Sequence, residues 1–554
     1  MGTGVTRHLL SIITLVPLAG ALLLAGIGRD RDRLLRAIAW GTTAFVFAAA
    51  LRLALGFEPR GSEWQFTERF DLLPSIGMSY AVGVDGLGMV LILLTAFLTF
   101  IAVLAPWARV AVRLKAFYIA VLTLEAGMLG VYMALDLLFF CVCWVLATSS
   151  MCLLIGWADE GAAPAATDHG RRWTLVRVAI MALAPGIVIL AGMLVLHVEG
   201  RALTGAQTFD LRMFQHLSLP FAVQRWVFMA FAVGFGAGLF GVFRWWVAVA
   251  ANARAVAVPV LLAAVFLKMG IYGFLRLSLP LLPEASRAFA PALMAISAIG
   301  IVLTAIAAFA QTSWTRVLGY ASLSHLCLVL LGAFALTPDG LTGSAVHQIN
   351  HGISIAALFL VAGLVADRVQ GAALADYGGL LNAMPLVAAV SLLMSLSLMG
   401  VPKLNGFVGM RLIIDSGWSD NRVWSVVATA GMALSGVALL WLFSRTMLGE
   451  LRTPAAGAPK DLRVTEALVF VPLVALVIWV GVRPAPLLSW VDTSVARVVL
   501  RFSPQFAPQV ADCLTQPPPP PVATGLPADM VLAAPCADGP GSAPSLSPPQ
   551  EQKR

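Results

Sequence analysis

The stretch VPVLLAAVFLKMGIYGFL, residues 258–275, decides the fold class. Apolar residues surround Lys268 on both sides, and the lysine is far from either end of the run. A charge held at that depth in a bilayer costs about 3 kcal/mol on insertion scales. Such a residue usually lines a bundle interior or a wet cavity and has a partner, which points to ion or proton handling. The plainer readings are a lysine that snorkels to the interface or closes a structural salt bridge. Its central position favours the functional reading.

Working outward, the whole chain matches that stretch. Its 554 residues are 60% hydrophobic and 12% charged, where a soluble protein carries about twice that charged fraction. Mean hydropathy is +0.89. Apolar runs near the length of a bilayer span recur from the N-terminus to about residue 485. The class is an all-α polytopic membrane protein. Fourteen spans are expected, centred near residues 17, 46, 93, 125, 147, 186, 236, 266, 301, 327, 355, 392, 433 and 473.

Basic residues orient the spans through the positive-inside bias. Arg29, Arg31, Arg33 and Arg36 follow span 1, and Arg109, Arg113 and Lys115 follow span 3. Arg171 and Arg172 follow span 5, while Arg452, Lys460 and Arg463 precede span 14. This alternation puts both termini on the outer, periplasmic side of a bacterial inner membrane, although Arg60, Arg69, Arg201 and Arg212 lie in outer loops. The first span lacks a small-residue cleavage site and precedes an arginine cluster, as a retained anchor does. The net charge of +8 is mostly loop arginine, and no basic stripe interleaves with aromatics, so nucleic acid is not an expected partner.

The chain divides into residues 1–79 (spans 1 and 2 with an outer loop), a membrane core at 80–485, an amphipathic interfacial helix at 486–502 and a tail at 503–554. The tail carries QPPPPP and cannot bury enough apolar surface to fold alone, so it is expected to be disordered. Cys513 and Cys536 lie in that tail, where an outer location allows a disulfide. Cys141, Cys143, Cys152 and Cys327 sit in spans and read as small buried hydrophobes, and no metal site is expected. The outer loops 57–80 and 198–224 are long enough to pack over the helices, and 158–173 is a polar inner loop.

The densest break in a span is GVPKLNGFVGM, residues 400–410, where Pro402 lacks a backbone donor among three glycines. An interruption of this kind survives in a bilayer only where it lines a cavity or is buried in protein. The intramembrane polar shortlist is Glu125, Asp136, Lys268, His325 and His351, with Lys403 in the broken segment. A lysine, histidines and carboxylates near the midplane are the parts of a proton relay. Each also has an innocent reading, Asp136 as a helix cap and a histidine as a donor to a facing carbonyl. No dinucleotide-binding strand-turn-helix is expected, because GVDGLG at 83–88 reads as part of a membrane helix.

Several motifs in order resemble the chain M branch of the antiporter-like membrane subunit family of bacterial respiratory complex I, the NADH-quinone oxidoreductase. They are YAVGVDGLGMVLILLTAFLT (80–99), GMLGVYMALDLLFF (127–140), LKMGIYGFLRLSLPLLPEA (267–285), LGYASLSHLCLVLLG (318–332), HGISIAALFLVAGLVADR (351–368) with YGGLLNAMPL (377–386), and GVPKLNGFVG (400–409). The likeness runs from about Tyr80 to Leu500. It implies two inverted five-helix repeats, spans 4–8 and 9–13, with broken helices 7 and 12. It also implies a proton route through a glutamate on span 5, lysines on spans 7 and 8, histidines on spans 10 and 11, and a glutamate on span 12.

Carried over by residue, Lys268, His325 and His351 hold the central positions. The span 5 glutamate falls at Val145, the span 7 lysine at Ala237 and the span 12 glutamate at Met410. Losing both members of a buried pair is far cheaper than losing one, which strands a charge at about 3–5 kcal/mol. Val145 and Ala237 fit such a joint replacement, and the lost prolines of span 7 predict a more continuous helix there. Arg244, Arg411 and Glu125 are the charges at shifted positions, although arginine hardly deprotonates.

The resemblance implies a membrane subunit that couples quinone reduction to proton transfer, with an impaired or rerouted path. The chain itself would bind no cofactor. NADH, FMN, iron–sulfur clusters and quinone would belong to partner subunits, and its neighbours would be chains like L, N and K within the lipid bilayer. Two alternatives remain at this point: an antiporter-like partner in another ion- or bicarbonate-transport complex, and a non-pumping structural spacer.

Overall fold

The computed structural model describes residues 8–105, 113–160, 168–237, 256–369, 373–418, 422–452, 459–502 and 506. Arg244, the second half of span 7, part of loop 158–173, and the tail apart from Phe506, with Cys513 and Cys536, lie outside the described residues. Helices dominate. They are α1 Leu9–Gly26, α2 Asp32–Leu55, α3 Gly86–Leu104, α4 Leu114–Met133, α5 Leu137–Glu160, α6 Asp168–Thr204, α7 Phe221–Gly236 and α8 Ala257–Leu281. There follow α9 Pro283–Phe309, α10 Trp314–Phe334, α11 Pro338–Val369, α12 Pro385–Met399, α13 Asn405–Ser416, α14 Arg422–Met447, α15 Val464–Val482 and α16 Ala485–Phe502.

Among the described residues, twelve helices are long and apolar enough to cross a membrane. The two shorter apolar helices, α7 and α12, stand where spans 7 and 12 are expected. Burial sorts the bundle into a centre and a periphery. Every residue of α8 is buried, and α10 and α11 nearly so, whereas α1, α9 and α15 turn Leu22, Leu303 and Val471 outward. Outward apolar side chains are what a bilayer or a neighbouring membrane subunit demands.

One end of the bundle carries an element absent from the loop reading. Strands β1 (Gln65–Leu73) and β2 (Met78–Val84) form an antiparallel hairpin between α2 and α3. The boundary expected after residue 79 therefore falls inside β2. The hairpin is tied to the helices by its buried carboxylate. Glu68 Oε1 accepts from the Leu10 and Ser11 N–H groups at 3.0 and 3.2 Å, and Oε2 accepts from Ser11 Oγ. These donors open α1 and have no partner within their own helix. Asp136 does the same for α5, accepting from Leu138 and Phe139 N–H groups at 3.0 Å and from Ser79 N at 2.9 Å. It is a cap, as its innocent reading holds.

GVDGLG is not part of a continuous helix. β2 ends at Val84, Asp85 caps α3 by accepting from Gly88 N at 2.9 Å, and Gly86 opens the helix. Asp85 also forms a buried ion pair with Arg276 of α8. Arg276 donates to Tyr272 Oη at 2.9 Å and lies 4.4 Å from the centre of the Trp64 ring. At the opposite end, Lys115 Nζ donates to the Ala25 and Ile27 carbonyls at 2.7 Å, closing the C-terminus of α1 with a cation.

The amphipathic helix α16 turns its apolar face into the protein. Leu488, Val491, Val495, Val499 and Phe502 are buried against the bundle. Its polar residues strap the hairpin end: Ser494 Oγ accepts from Gly86 N at 2.8 Å, Arg497 donates to the Gly61 carbonyl at 2.8 Å, and Arg501 pairs with Glu63 at 3.2 Å.

Asp492 sits beneath this strap, its Oδ1 3.4 Å from Thr342 Oγ1 of α11. Burial pushes its carboxyl up to about 7, helped by nearby Asp339 and opposed by the Thr342 hydroxyl and Arg60. The folded chain then binds more protons than the unfolded chain between the ordinary aspartate value of about 4 and that raised value. Stability contributed by this site falls as pH rises across the window. We expect Asp492→Asn to raise the melting temperature of the detergent-solubilised chain at pH 8, with the gain shrinking towards zero near pH 4. Melting curves of both proteins across that range check it, and a gain independent of pH would refute it.

Candidate functional site

The centre of α8 departs from α-helical geometry on both sides of Lys268. Leu262–Phe266 and Phe274–Ser278 are π-helical turns around an α-helical Lys268–Gly273. In a π turn the N–H bonds five residues back, as Leu267 N does to Leu262 O at 3.1 Å. Such turns widen a helix locally and recur at functional positions. Here the Ala263 carbonyl is available to the side chain, and Lys268 Nζ donates to it at 3.1 Å.

Lys268 is fully buried, and its second contact is Nδ1 of His351 on α11, at 3.3 Å. The His351 ring stacks on His325 of α10, with centroids 5.2 Å apart and 29° between planes. His325 Nδ1 in turn lies 3.0 Å from Nε2 of His347, one turn before His351 on α11. All three rings are fully buried. The structure thus brings together the three expected central residues and adds a third histidine.

Among the described residues, no carboxylate bonds to this row. Glu125 is fully buried on α4, but neither of its oxygens has a hydrogen-bond partner there. The shifted arginine Arg411 pairs with Asp415 at 3.1 Å on an exposed surface, and Lys403 is exposed. The three positions of lost charge are placed as follows. Val145 is half-buried against α6, where a Cβ at Gly186 would stand 2.6 Å from its Cγ2. Ala237 is the half-buried residue that ends the described part of span 7. Met410 belongs to an apolar cluster with Ile301, Cys327, Leu331, Ile413 and Met432.

The broken helix lies against α11. Between α12 and α13 the chain turns through Gly400 at φ +84° and Lys403 at φ +69°, both left-handed. The exposed backbone and its neighbours are satisfied by a compact polar cluster. Asn350 Nδ2 donates to the Asn405 carbonyl at 2.6 Å, and Asn405 Nδ2 returns to the Asn350 carbonyl at 3.2 Å. Ser397 and Ser354 hydroxyls donate to Asn405 Oδ1, and Gly406 N donates to Ser397 Oγ at 3.3 Å. A Cβ at Gly409 would come within 2.7 Å of His347 Cβ, so only glycine lets α13 cross α11 this closely.

His347 and His351 are four residues apart, as are Asn350 and Ser354, which puts the two pairs on adjoining strips of α11. That periodicity in HQINHGIS was the available signal for His347 and Asn350. The Asp85–Arg276 pair had no comparable signal, because its members lie 191 residues apart.

The region from α5 to α14 that carries this site also carries a family signature. Residues 134–435 match the family model described as NADH:quinone oxidoreductase/Mrp antiporter, transmembrane. The chain belongs to that family. It is 33% identical over 512 residues to NADH-quinone oxidoreductase subunit M of Rhodobacter capsulatus, covering 90% of this chain and 97% of the relative. NADH-ubiquinone oxidoreductase chain 4 of Arabidopsis thaliana is 31% identical, covering 88% and 97%. A chain of respiratory complex I from Thermus thermophilus with bound NADH superposes with a TM-score of 0.77 at 25% identity, over 89% of this chain and 100% of that one. A chain of the Mrp complex from Dietzia sp. shares the fold, with a TM-score of 0.75 at 18% identity over 92% and 100%. Within this family member, Lys268, His325, His347, His351 and Met410 all fall inside the matched segment, and Glu125 precedes it.

Asn405 is the member of the polar cluster with most to lose. Asn405→Leu removes a buried acceptor shared by two hydroxyls and a donor to the Asn350 carbonyl, so the expected cost is about 1–3 kcal/mol. Exposed Lys403→Ala should stay within about 0.5 kcal/mol of the parent. Chemical denaturation in detergent compares them, and equal stability of the two variants would show that the cluster does not hold the break.

Proposed function

We propose that this chain is a membrane subunit of a proton-translocating, quinone-reducing assembly of the complex I type, in which it carries a reduced proton path. The observation that carries this reading is the row Lys268–His351–His325–His347, two bonded pairs joined by a ring stack and buried in the bundle beside a broken helix. Membership of the family and the likeness to subunit M along nearly the whole chain support the assembly. Redox chemistry, with NADH, FMN, iron–sulfur clusters and quinone, is assigned to partner subunits. The adjoining membrane partners are L-, N- and K-like chains. The hairpin end, with both termini, is assigned to the outer face on the loop arginines.

A buried lysine and histidine at hydrogen-bond distance share a proton that burial makes costly to hold. Lys268 holds it beside the Ala263 carbonyl and exchanges it with His351. Between His351 and His325 the rings stack, and their Nε2 atoms lack partners among the described residues, so the proton crosses through water. Without a carboxylate at Val145, Ala237 or Met410, nothing electrostatic at those positions drives Lys268 between charge states. The path is therefore weaker or differently driven than one with the full set.

The complex purified through a tag on this chain should retain flavin and iron–sulfur subunits, and a chain that isolates alone would overturn the assignment. In proteoliposomes, Lys268→Ala should lower protons translocated per electron only partially, with this chain's share falling by about half or less. Undiminished translocation in that variant would leave the chain a spacer.

A further inference from the structure

We propose that the hairpin end of the bundle holds a binding site for a small monovalent anion of the chloride class, set between the arginines of α8 and α16. It is independent of the proton path.

The site is a cavity of about 10 Å³, room for about one water-sized body, between α16, the end of α8 and the loop ahead of β1. Its charged lining is Arg276, Arg497 and Arg501 against Glu63 and Asp85. Both acids are already matched, Asp85 by buried Arg276 and Glu63 by Arg501 at 3.2 Å. Arg497 has no acid partner among the described residues and donates to the Gly61 carbonyl at 2.8 Å. One positive charge is therefore left over at the cavity. Its neighbours feel the excess: burial lowers the Arg501 guanidinium from its ordinary value, Glu63 opposes this, and the Arg276 charge adds to the lowering.

Donors are left over as well. Arg276 spends Nε on Tyr272 and Nη2 on Asp85, and Arg501 spends Nη1 on the Gln215 carbonyl and Nη2 on Glu63. Arg497 spends only Nη2. The remaining guanidinium N–H groups make no hydrogen bond among the described residues. Ser494 Oγ lines the same cavity and accepts from Gly86 N at 2.8 Å, so its own hydroxyl proton stays available to donate. The N-terminus of α3, opening at Gly86, adds the positive end of its dipole. A ligand that fits must accept several N–H and O–H bonds, carry one negative charge and be little larger than water. Chloride does all three. A phosphate group, free or on a lipid, is too large to enter without parting the arginines. Bound there, the anion cancels the surplus charge and ties α16 to α8 and to the loop ahead of β1.

The test follows the melting temperature of the full-length chain in detergent as sodium chloride replaces sodium gluconate at constant ionic strength. A saturating rise of about 1–3 °C is expected for the wild type. Arg497→Gln removes the surplus charge and should abolish the rise, whatever it does to the melting temperature itself. Glu63→Gln removes one of the two acids and should lower the chloride concentration of half-effect about fivefold. No rise in the wild type, or an equal rise in Arg497→Gln, overturns the site. If sodium phosphate or added phosphatidylglycerol raises the melting temperature where chloride does not, the ligand is a phosphate group and the small-anion assignment falls. If Arg497→Gln does not fold, Glu63→Gln decides, and an unchanged half-effect concentration overturns the site.

Discussion

A cation buried with no carboxylate partner among the described residues is the constraint around which this molecule is organised. Lys268 is surrounded by helices that leave no exposed residue on α8, and its Nζ meets a backbone carbonyl and an imidazole instead of an acid. An unpaired ammonium in such a place would be prohibitive if it had to stay charged. Two features relieve it. The π turns free a carbonyl to bond it, and a neutral histidine offers a second acceptor that can also take the proton. One nitrogen of each histidine is met in the same way, His351 Nδ1 by Lys268 and His325 Nδ1 by His347 Nε2.

The same economy governs the broken helix. Interrupting a span exposes backbone groups that lipid cannot satisfy. Here they are met by Asn350, Ser397 and Asn405, with Ser354 bonding the Asn405 side chain, all neutral groups that bond without bringing new charge into the core. The histidine row and the break share α11, so proton-carrying groups and backbone-satisfying groups occupy adjoining strips of one helix.

Much of this was legible in the sequence. The apolar runs, the isolated Lys268, the glycine-proline break and the two expected histidines are local signals, and each lies where its spacing places it. His347 was legible too, through its spacing from His351, but a glutamine and an asparagine beside it disguised the strip as ordinary polar helix. The β-hairpin was less visible, since β1 presents one buried side chain among exposed ones and lacks clean alternation. The buried Asp85–Arg276 pair was invisible, because only the folded bundle brings β2's end to α8. Glu125 shows the reverse case: residue type nominated it, and its lack of a partner among the described residues gives it no place in the row.

The strap at the hairpin end has a consequence for how the chain is made. Ser494 satisfies Gly86, and Arg501 satisfies Glu63, across separations of 408 and 438 residues. During synthesis the N-terminal helices are inserted long before α16 exists. The start of α3 and the loop ahead of β1 must therefore wait, hydrated or held by another protein, until the last helix arrives. Closing so long a loop adds little entropy cost beyond a shorter one, but it fixes an order of events. The contacts of α16 with the hairpin end therefore form only after the helices that precede it have been made.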